Sequence, residues 1–154
     1  MATQITGSWS TGRRILIATA IAGTLDIAAA IILTLYFGKR TVDAMLRGVA
    51  SGPVPGAPDW GMAGAVLGLV VHYVLMAIMV TVYVLAADRM PQLKRQPLLW
   101  GLLYGLATYV VMNLIVVPLR FHTPLPPSTL AICTQLFCHI VLVGIPIALV
   151  ARKG

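Results

Sequence analysis

Four long apolar stretches limit what this chain can fold into more than any other feature. They cover residues 15–37, 62–87, 98–119 and 128–151, and each is long enough to cross a bilayer as a helix. Only 10% of the chain is charged, against about a quarter in soluble domains. This composition excludes a water-soluble fold. We expect an all-α integral membrane protein, with one domain over 1–154 that forms an up-down-up-down bundle of four transmembrane helices.

The connections and the basic residues predict how the helices are arranged. Segment 88–97 holds two prolines and four charges, so it leaves the lipid as a tight turn and makes the second and third spans neighbours.

The net charge of +7 indicates membrane topology and contact with lipid headgroups, and no soluble basic face exists to bind nucleic acid. The positive-inside rule places both termini in the cytoplasm of a bacterial inner membrane. The basic residues on that side are Arg13, Arg14, Arg89, Lys94, Arg95, Arg152 and Lys153.

Segment 11–17 is similar to a twin-arginine export signal, since it contains Arg13 and Arg14 before an apolar run. However, that run is too long for a signal peptide, contains Asp26 and continues into two further basic residues without a small-residue cleavage site. We therefore expect an uncleaved first span.

The first external loop is expected to contain a short interfacial helix over 41–50. Thr41 is a suitable N-cap, and apolar residues recur behind it at helical spacing until the Gly- and Pro-rich stretch 51–58 ends the pattern. Trp60 is placed to anchor the next span at headgroup level. We expect a flap that covers the bundle; a partner-docking or substrate-gating loop is the alternative.

Each span carries one strongly polar side chain near mid-depth, and these residues form the predicted site. They are Asp26, His72, Asn113 and His139. Polar groups in hydrocarbon are expensive and usually face the bundle interior. Gln135 and Tyr109 lie one turn from His139 and Asn113 on the same helix faces. We expect the six residues to form one buried polar layer.

Small residues predict where helices approach closely. Gly64 and Gly68 lead to His72 along one face, Gly101 and Gly105 lead to Asn113, and Gly23 lies beside Asp26. We expect these glycines to direct the polar residues towards neighbouring helices. Pro118 and Pro146 are expected to end or kink their helices.

Residues 72–78 and 139–145 share His, Val, Leu and Ile at matching positions. A duplicated helical hairpin with a pseudo-twofold axis along the membrane normal would give this match. Chance is the competing explanation, because Leu and Val are common in membrane spans.

Three chemistries suit the polar layer. The imidazoles can act as hydrogen-bonding glue between helices. Alternatively, His72 and His139 can ligate haem b, or with Asp26 a zinc or iron ion, from neighbouring helices. Asp26 with the histidines can also serve a proton-coupled transporter, which with four helices per chain requires a homo-oligomer.

Several segments resemble a family of small bacterial inner-membrane proteins with four spans and no assigned activity. They are 23–26, 46–52, 101–105, 111–113 and 143–149. The resemblance implies the four-span fold and no site. Since the chain also has no catalytic motif, we expect no enzyme and no cofactor. We expect a structural or accessory subunit that lies among membrane lipids, within a larger membrane complex or a homo-oligomer.

Overall fold

The computed structural model describes residues 8–123, 125 and 128–154. It confirms the all-α bundle, because four of its helices are long and apolar enough to cross a membrane. Each of these helices overlaps a predicted span and differs from it by a few residues at the ends. In chain order the helices are α1 (Thr11–Phe37), α2 (Val42–Ala50), α3 (Gly61–Arg89), α4 (Pro91–Arg95), α5 (Pro97–Phe121) and α6 (Thr129–Ala151).

Local capping sets where α1 and α2 begin and end. The Ser10 hydroxyl accepts from the N–H of Arg13 at 3.3 Å, and α1 ends at Gly38, which has a φ of 60°. A positive φ suits glycine, which has no Cβ to clash. Thr41 caps α2 as the sequence predicts, and its hydroxyl also holds the pKa of Asp43 below its ordinary value.

The four spans pack in an uneven ring. α1 contacts α3 and α6, α6 contacts α5, and α3 also contacts α6 across the bundle. Segment 88–97 joins α3 to α5, as expected, but it contains the short helix α4 where we expected only a tight turn. The two spans meet mainly through two tyrosines. The Tyr83 and Tyr104 rings meet edge to face with centroids 4.9 Å apart. The backbone of α5 instead packs closely against α6.

The hydrophobic core occupies one half of the bundle. We call this half the basic end, because it adjoins the termini and the 88–97 turn, and we call the opposite half, where α2 lies, the loop end. The buried core residues at the basic end interlock small and large side chains from α1, α3, α4 and α6. They are Ala18, Ala22, Met76, Val80, Tyr83, Val84, Ala87, Leu93, Val143, Ile147, Ala148, Val150 and Ala151.

A buried arginine ties three segments together at the basic end. Arg14 is 3% exposed, and its guanidinium donates to both carboxylate oxygens of Asp88 at 2.9 and 2.8 Å and to the carbonyl of Ala151 at 3.1 Å. Lys94 pairs with the same carboxylate at 2.8 Å. These contacts place the start of α1, the 88–97 turn and the end of α6 at the same end of the bundle. Trp9 adds a backbone hydrogen bond to the carbonyl of Lys153.

At the loop end, α2 lies against α3. A Cβ placed on Gly68 would lie 2.6 Å from the carbonyl carbon of Leu46, and one on Gly64 would lie 3.2 Å from Cγ of Arg47. Close approach at these glycines is therefore present, but Gly68 meets α2, and Gly64 meets α2 and the carbonyl of Ala57 in the first loop, where we expected another transmembrane helix. Buried Met45 fixes this position of α2, so the helix covers the bundle as a flap.

Pro118 and Pro146 do not end their helices, contrary to one of the two outcomes expected for them. Instead, a π-helical segment precedes each proline within a continuous span: Val110–Val116 in α5 and Cys138–Gly144 in α6. A proline cannot donate the usual hydrogen bond and clashes with the carbonyl four residues earlier. Widening the preceding turns relieves this clash, and such segments are frequent at functional sites.

Candidate functional site

The predicted polar residues lie in two pairs, each between helices that are consecutive spans. Asp26 of α1 faces His72 of α3, and Asn113 of α5 faces His139 of α6. In each pair the histidine belongs to the later helix. This arrangement parallels the sequence match between 72–78 and 139–145.

The first pair has a defined hydrogen-bond geometry. Nε2 of His72 lies 2.9 Å from the carbonyl oxygen of Gly23, and Nδ1 lies 3.9 Å from Oδ2 of Asp26. Because a carbonyl oxygen can only accept, Nε2 must carry a hydrogen and donate it. Nδ1 is then the ring nitrogen that faces the carboxyl group. The His72 side chain is 11% exposed and that of Asp26 is 25% exposed.

Gly23 and Tyr73 hold this imidazole in place. A Cβ on Gly23 would lie 2.7 Å from Cε1 of Tyr73, so a larger residue would push α1 away from α3. The Tyr73 hydroxyl is 2.8 Å from Oγ1 of Thr24, and its ring meets that of His72 edge to face at 5.3 Å. The glycine therefore brings its own carbonyl within reach of Nε2.

In the second pair, His139 uses its two ring nitrogens in the opposite way to His72. Nδ1 of His139 lies 3.0 Å from the main-chain carbonyl of Gln135, one turn earlier, so Nδ1 is the donor. Nε2 is then free to accept from Nδ2 of Asn113, which lies 3.5 Å away. The Tyr109 ring meets His139 edge to face at 6.0 Å. Tyr109 thus packs on the pair, and Gln135 contributes its backbone carbonyl.

The two pairs are close enough to influence each other. α1 packs against the π-helical segment that carries His139, and Asp26 lies within electrostatic range of both imidazoles. Cys138, buried on the same segment, also lies within range of this carboxyl group. Asp26 is therefore the acidic residue of the layer that lies near both pairs.

The donor set is poorly arranged for a metal or a haem. In the described part of the chain, no three His, Cys, Asp or Glu side chains converge on one point. Ligation through His72 would require Nε2 to leave the Gly23 carbonyl or Nδ1 to turn from Asp26. A ligating histidine normally keeps one nitrogen for the metal and uses the other for a hydrogen bond. His139 is closer to this arrangement. Its Nδ1 is hydrogen-bonded, and its Nε2 makes only the 3.5 Å contact to Asn113.

Close packing between α5 and α6 positions the second pair. Gly101 and Gly105 face the backbone of α6, and Gly144 faces them in return: a Cβ on Gly144 would lie 2.8 Å from Cα of Gly105. A Cβ on Gly105 would lie 2.6 Å from Cα of Ile140. Sequence reasoning missed Gly144, although a glycine within an apolar span is itself a signal for close approach.

Sequence reasoning also missed the π-helical segments and the carbonyl of Gly23. The prolines were the available signal for the former, since each lies two residues beyond its π-helical segment. The described arrangement can hold hydrogen bonds across the bundle and can exchange a proton between a carboxyl group and an imidazole. No protein-family model, no curated protein and no solved structure matches the chain.

Proposed function

We propose that this membrane protein is a small accessory subunit of a larger assembly, without catalysis of its own, in a bacterial inner membrane with its basic end in the cytoplasm. The two polar pairs fix the packing of its helices. One observation carries the proposal: apart from the contact of Arg120 with the first loop, the loop-end halves of α5 and α6 have an outer surface that the rest of the chain leaves uncovered. Residues 110–121 and 129–137 include no buried residue, whereas the basic-end half of α6 contributes to the core.

The chemistry of this uncovered surface supports a protein partner. Gln135 is half-buried on it, and polar side chains within membrane helices usually face other protein groups. Lipid chains satisfy apolar side chains but offer an amide group nothing to bond. The surface also carries large apolar residues that can supply packing area: Val110, Val111, Ile115, Val116, Leu119, Leu130 and Phe137.

Purification in mild detergent tests the accessory role. We expect the tagged chain to leave its native membrane in a particle whose protein mass, after the detergent is subtracted, exceeds its own 16.4 kDa, with a second protein at fixed stoichiometry. Phe137→Ala should reduce this association, since Phe137 is 55% exposed on the uncovered surface. Leu16→Ala is the matched control, because Leu16 is 71% exposed at the basic end of α1. This variant should leave the association unchanged.

Three results would count against this role. A monomeric chain in the mildest detergents would remove it, and a dimer sensitive to Phe137→Ala would make the partner a second copy. A Soret band or stoichiometric metal would instead support haem or metal binding by His72 and His139.

A second candidate function is proton-coupled transport by a homo-oligomer. The contact between the Asp26 carboxyl group and His72 Nδ1 favours it, because carboxyl and imidazole groups held together in a membrane can transfer a proton. Loss of transport in Asp26→Asn, measured in proteoliposomes under a proton gradient, is its test.

A further inference from the structure

We infer that Asp26 and His72 form a binding site for a single exchangeable proton in the middle of the bundle. The inference begins with the Gly23 carbonyl, which requires a hydrogen on Nε2 of His72. Nδ1 and Oδ2 of Asp26 then face each other at 3.9 Å, and either atom can bind one further proton. That proton resides either on the carboxyl group, next to a neutral imidazole, or on Nδ1, next to a carboxylate.

Charge favours occupation of this site. In either occupied form the pair has no net charge, whereas release of the proton leaves a carboxylate without a counterion in a low-dielectric layer. Within the described residues, the titratable side chains near Asp26 on the elements packed against α1 are His72, Tyr73, Cys138 and His139, and none of them is a fixed cation. The other titratable groups of α3, Tyr83, Asp88 and Arg89, lie at the basic end. Arg47 of α2 is a fixed cation, but it is paired with Asp43 at 2.9 Å.

The second pair lacks this capacity, although its histidine faces the preceding span in the same way. Asn113 stands where a carboxyl group would be needed, and an amide donates to Nε2 of His139 without giving up its hydrogen. His139 is thus supplied with a hydrogen bond at both ring nitrogens while it stays neutral. One proton site per chain follows.

The packing around the pair indicates how the proton exchanges. One turn towards the basic end, Ala22, Met76 and Val143 form a dry layer and are each at most 1% exposed. Towards the loop end, Gly68 lies one turn from His72 and packs against the backbone of α2. The apolar layer therefore closes the basic-end side of the site to proton exchange.

The composition of the chain makes the site measurable. The chain contains four acidic side chains, all Asp, and three histidines, so infrared bands of protonated carboxyl groups and ¹⁵N signals of imidazoles can be assigned by single substitutions. The test uses the full chain in mild detergent at neutral pH. We expect either a protonated-carboxyl band that Asp26→Asn removes and that shifts in D₂O, or a His72 ring protonated at both nitrogens.

A second test exchanges the carboxyl group of one pair and the amide group of the other. Asp26→Asn should leave His72 with one ring hydrogen, as at His139, and Asn113→Asp should create a second proton site at His139. Asp59→Asn, at an exposed loop residue, is the control and should change neither signal. If Asn113→Asp adds no proton, the carboxyl–imidazole pairing is not sufficient to make a site, and the inference fails.

The wild-type signals alone can overturn the inference, even if a variant does not fold. An ionised Asp26 together with a singly protonated His72 at neutral pH would show that the pair holds no such proton. The proton site is independent of the accessory role. It supplies the proton-binding group that proton-coupled transport, the second candidate function, requires. An empty proton site leaves partner binding intact, and a monomeric chain leaves the proton site intact.

Discussion

Tyr83 and Tyr104 meet edge to face between α3 and α5, but their hydroxyl groups are in different situations. The Tyr104 hydroxyl donates to the main-chain carbonyl of Met79 at 2.7 Å. The Tyr83 hydroxyl is buried and has no hydrogen-bond partner among the described residues. Both groups are neutral phenols at neutral pH. The two rings are the main connection between helices whose backbones are otherwise apart.

Replacing each tyrosine by phenylalanine should show how much each hydroxyl group contributes to stability. Tyr104→Phe removes the bond to the Met79 carbonyl and should lower the free energy of unfolding by about 1 kcal/mol. Tyr83→Phe removes a buried hydroxyl that is not hydrogen-bonded and should be neutral or slightly stabilising. Equilibrium unfolding in mixed detergent micelles measures both. Equal losses in the two variants would contradict the assignment.

The ion pair at the basic end should be worth more than a surface pair. Asp88→Asn leaves the Arg14 guanidinium, with a side chain 4% exposed, without its carboxylate. We expect a loss of about 2 kcal/mol, less than for a fully buried pair because the Asp88 side chain is 29% exposed and is screened by water. The same unfolding measurement applies, and Asp59→Asn is the control. A loss no larger than that of the control would show that water replaces the carboxylate.

The contact between α5 and α6 should depend on the absence of a side chain at Gly144. Gly144→Ala places a Cβ against the backbone of Gly101 and Gly105, and separating the helices to make room should cost about 2 kcal/mol. Gly12→Ala is the matched control: nothing lies within 4 Å of its Cβ position. Since alanine favours a helix, this control should be neutral or stabilising by up to about 1 kcal/mol.

The Gly144 result bears on what the sequence could predict. Apolar length located the four spans, because a helix that crosses lipid needs a long run without charges. The same pattern located Asp26, His72, Asn113 and His139, since polar residues stand out in such a run. Which helix face meets which neighbour was harder to predict, because lipid-facing and core-facing positions are both apolar in a membrane protein.

That limit explains the two packing relationships that were missed. Gly64 and Gly68 indicated a close approach, but nothing in their spacing distinguishes α2 from a transmembrane neighbour. Arg14 was assigned to topology alone, because its ion pair with Asp88 joins residues 74 positions apart in the chain. Long-range pairing of this kind depends on the order of helices in the ring, which periodicity does not encode.

Arg120 should hold the first loop against the end of α5. Its Nε donates to the carbonyl of Gly52 at 2.7 Å and its Nη2 to that of Ser51 at 2.8 Å. Arg120→Gln should weaken this attachment by about 1 kcal/mol, so amide hydrogen exchange in 51–56 should become roughly fivefold faster. Lys39→Gln, at an exposed residue, is the control. Unchanged exchange in Arg120→Gln would show that α2 alone holds the loop.

Pro146 should control the position of His139. In the π-helical segment before it, the N–H of Ile145 bonds to the carbonyl of Ile140, five residues earlier. Pro146→Ala restores a donor and removes the ring that clashes with the preceding turn, which allows α6 to rewind as an α-helix. Rewinding by one residue turns His139 by about 100° relative to the helix beyond it, away from Asn113.

Imidazole ¹⁵N spectra can follow this rotation directly. In Pro146→Ala the His139 signals should change as the contact to Asn113 is lost, while those of His72 should stay constant because α3 carries no proline near it. Pro91→Ala, in the turn helix α4, is the control for a proline outside the spans. If His139 keeps its wild-type signals, close packing at Gly105 and Gly144 holds the π-helical segment without help from the proline.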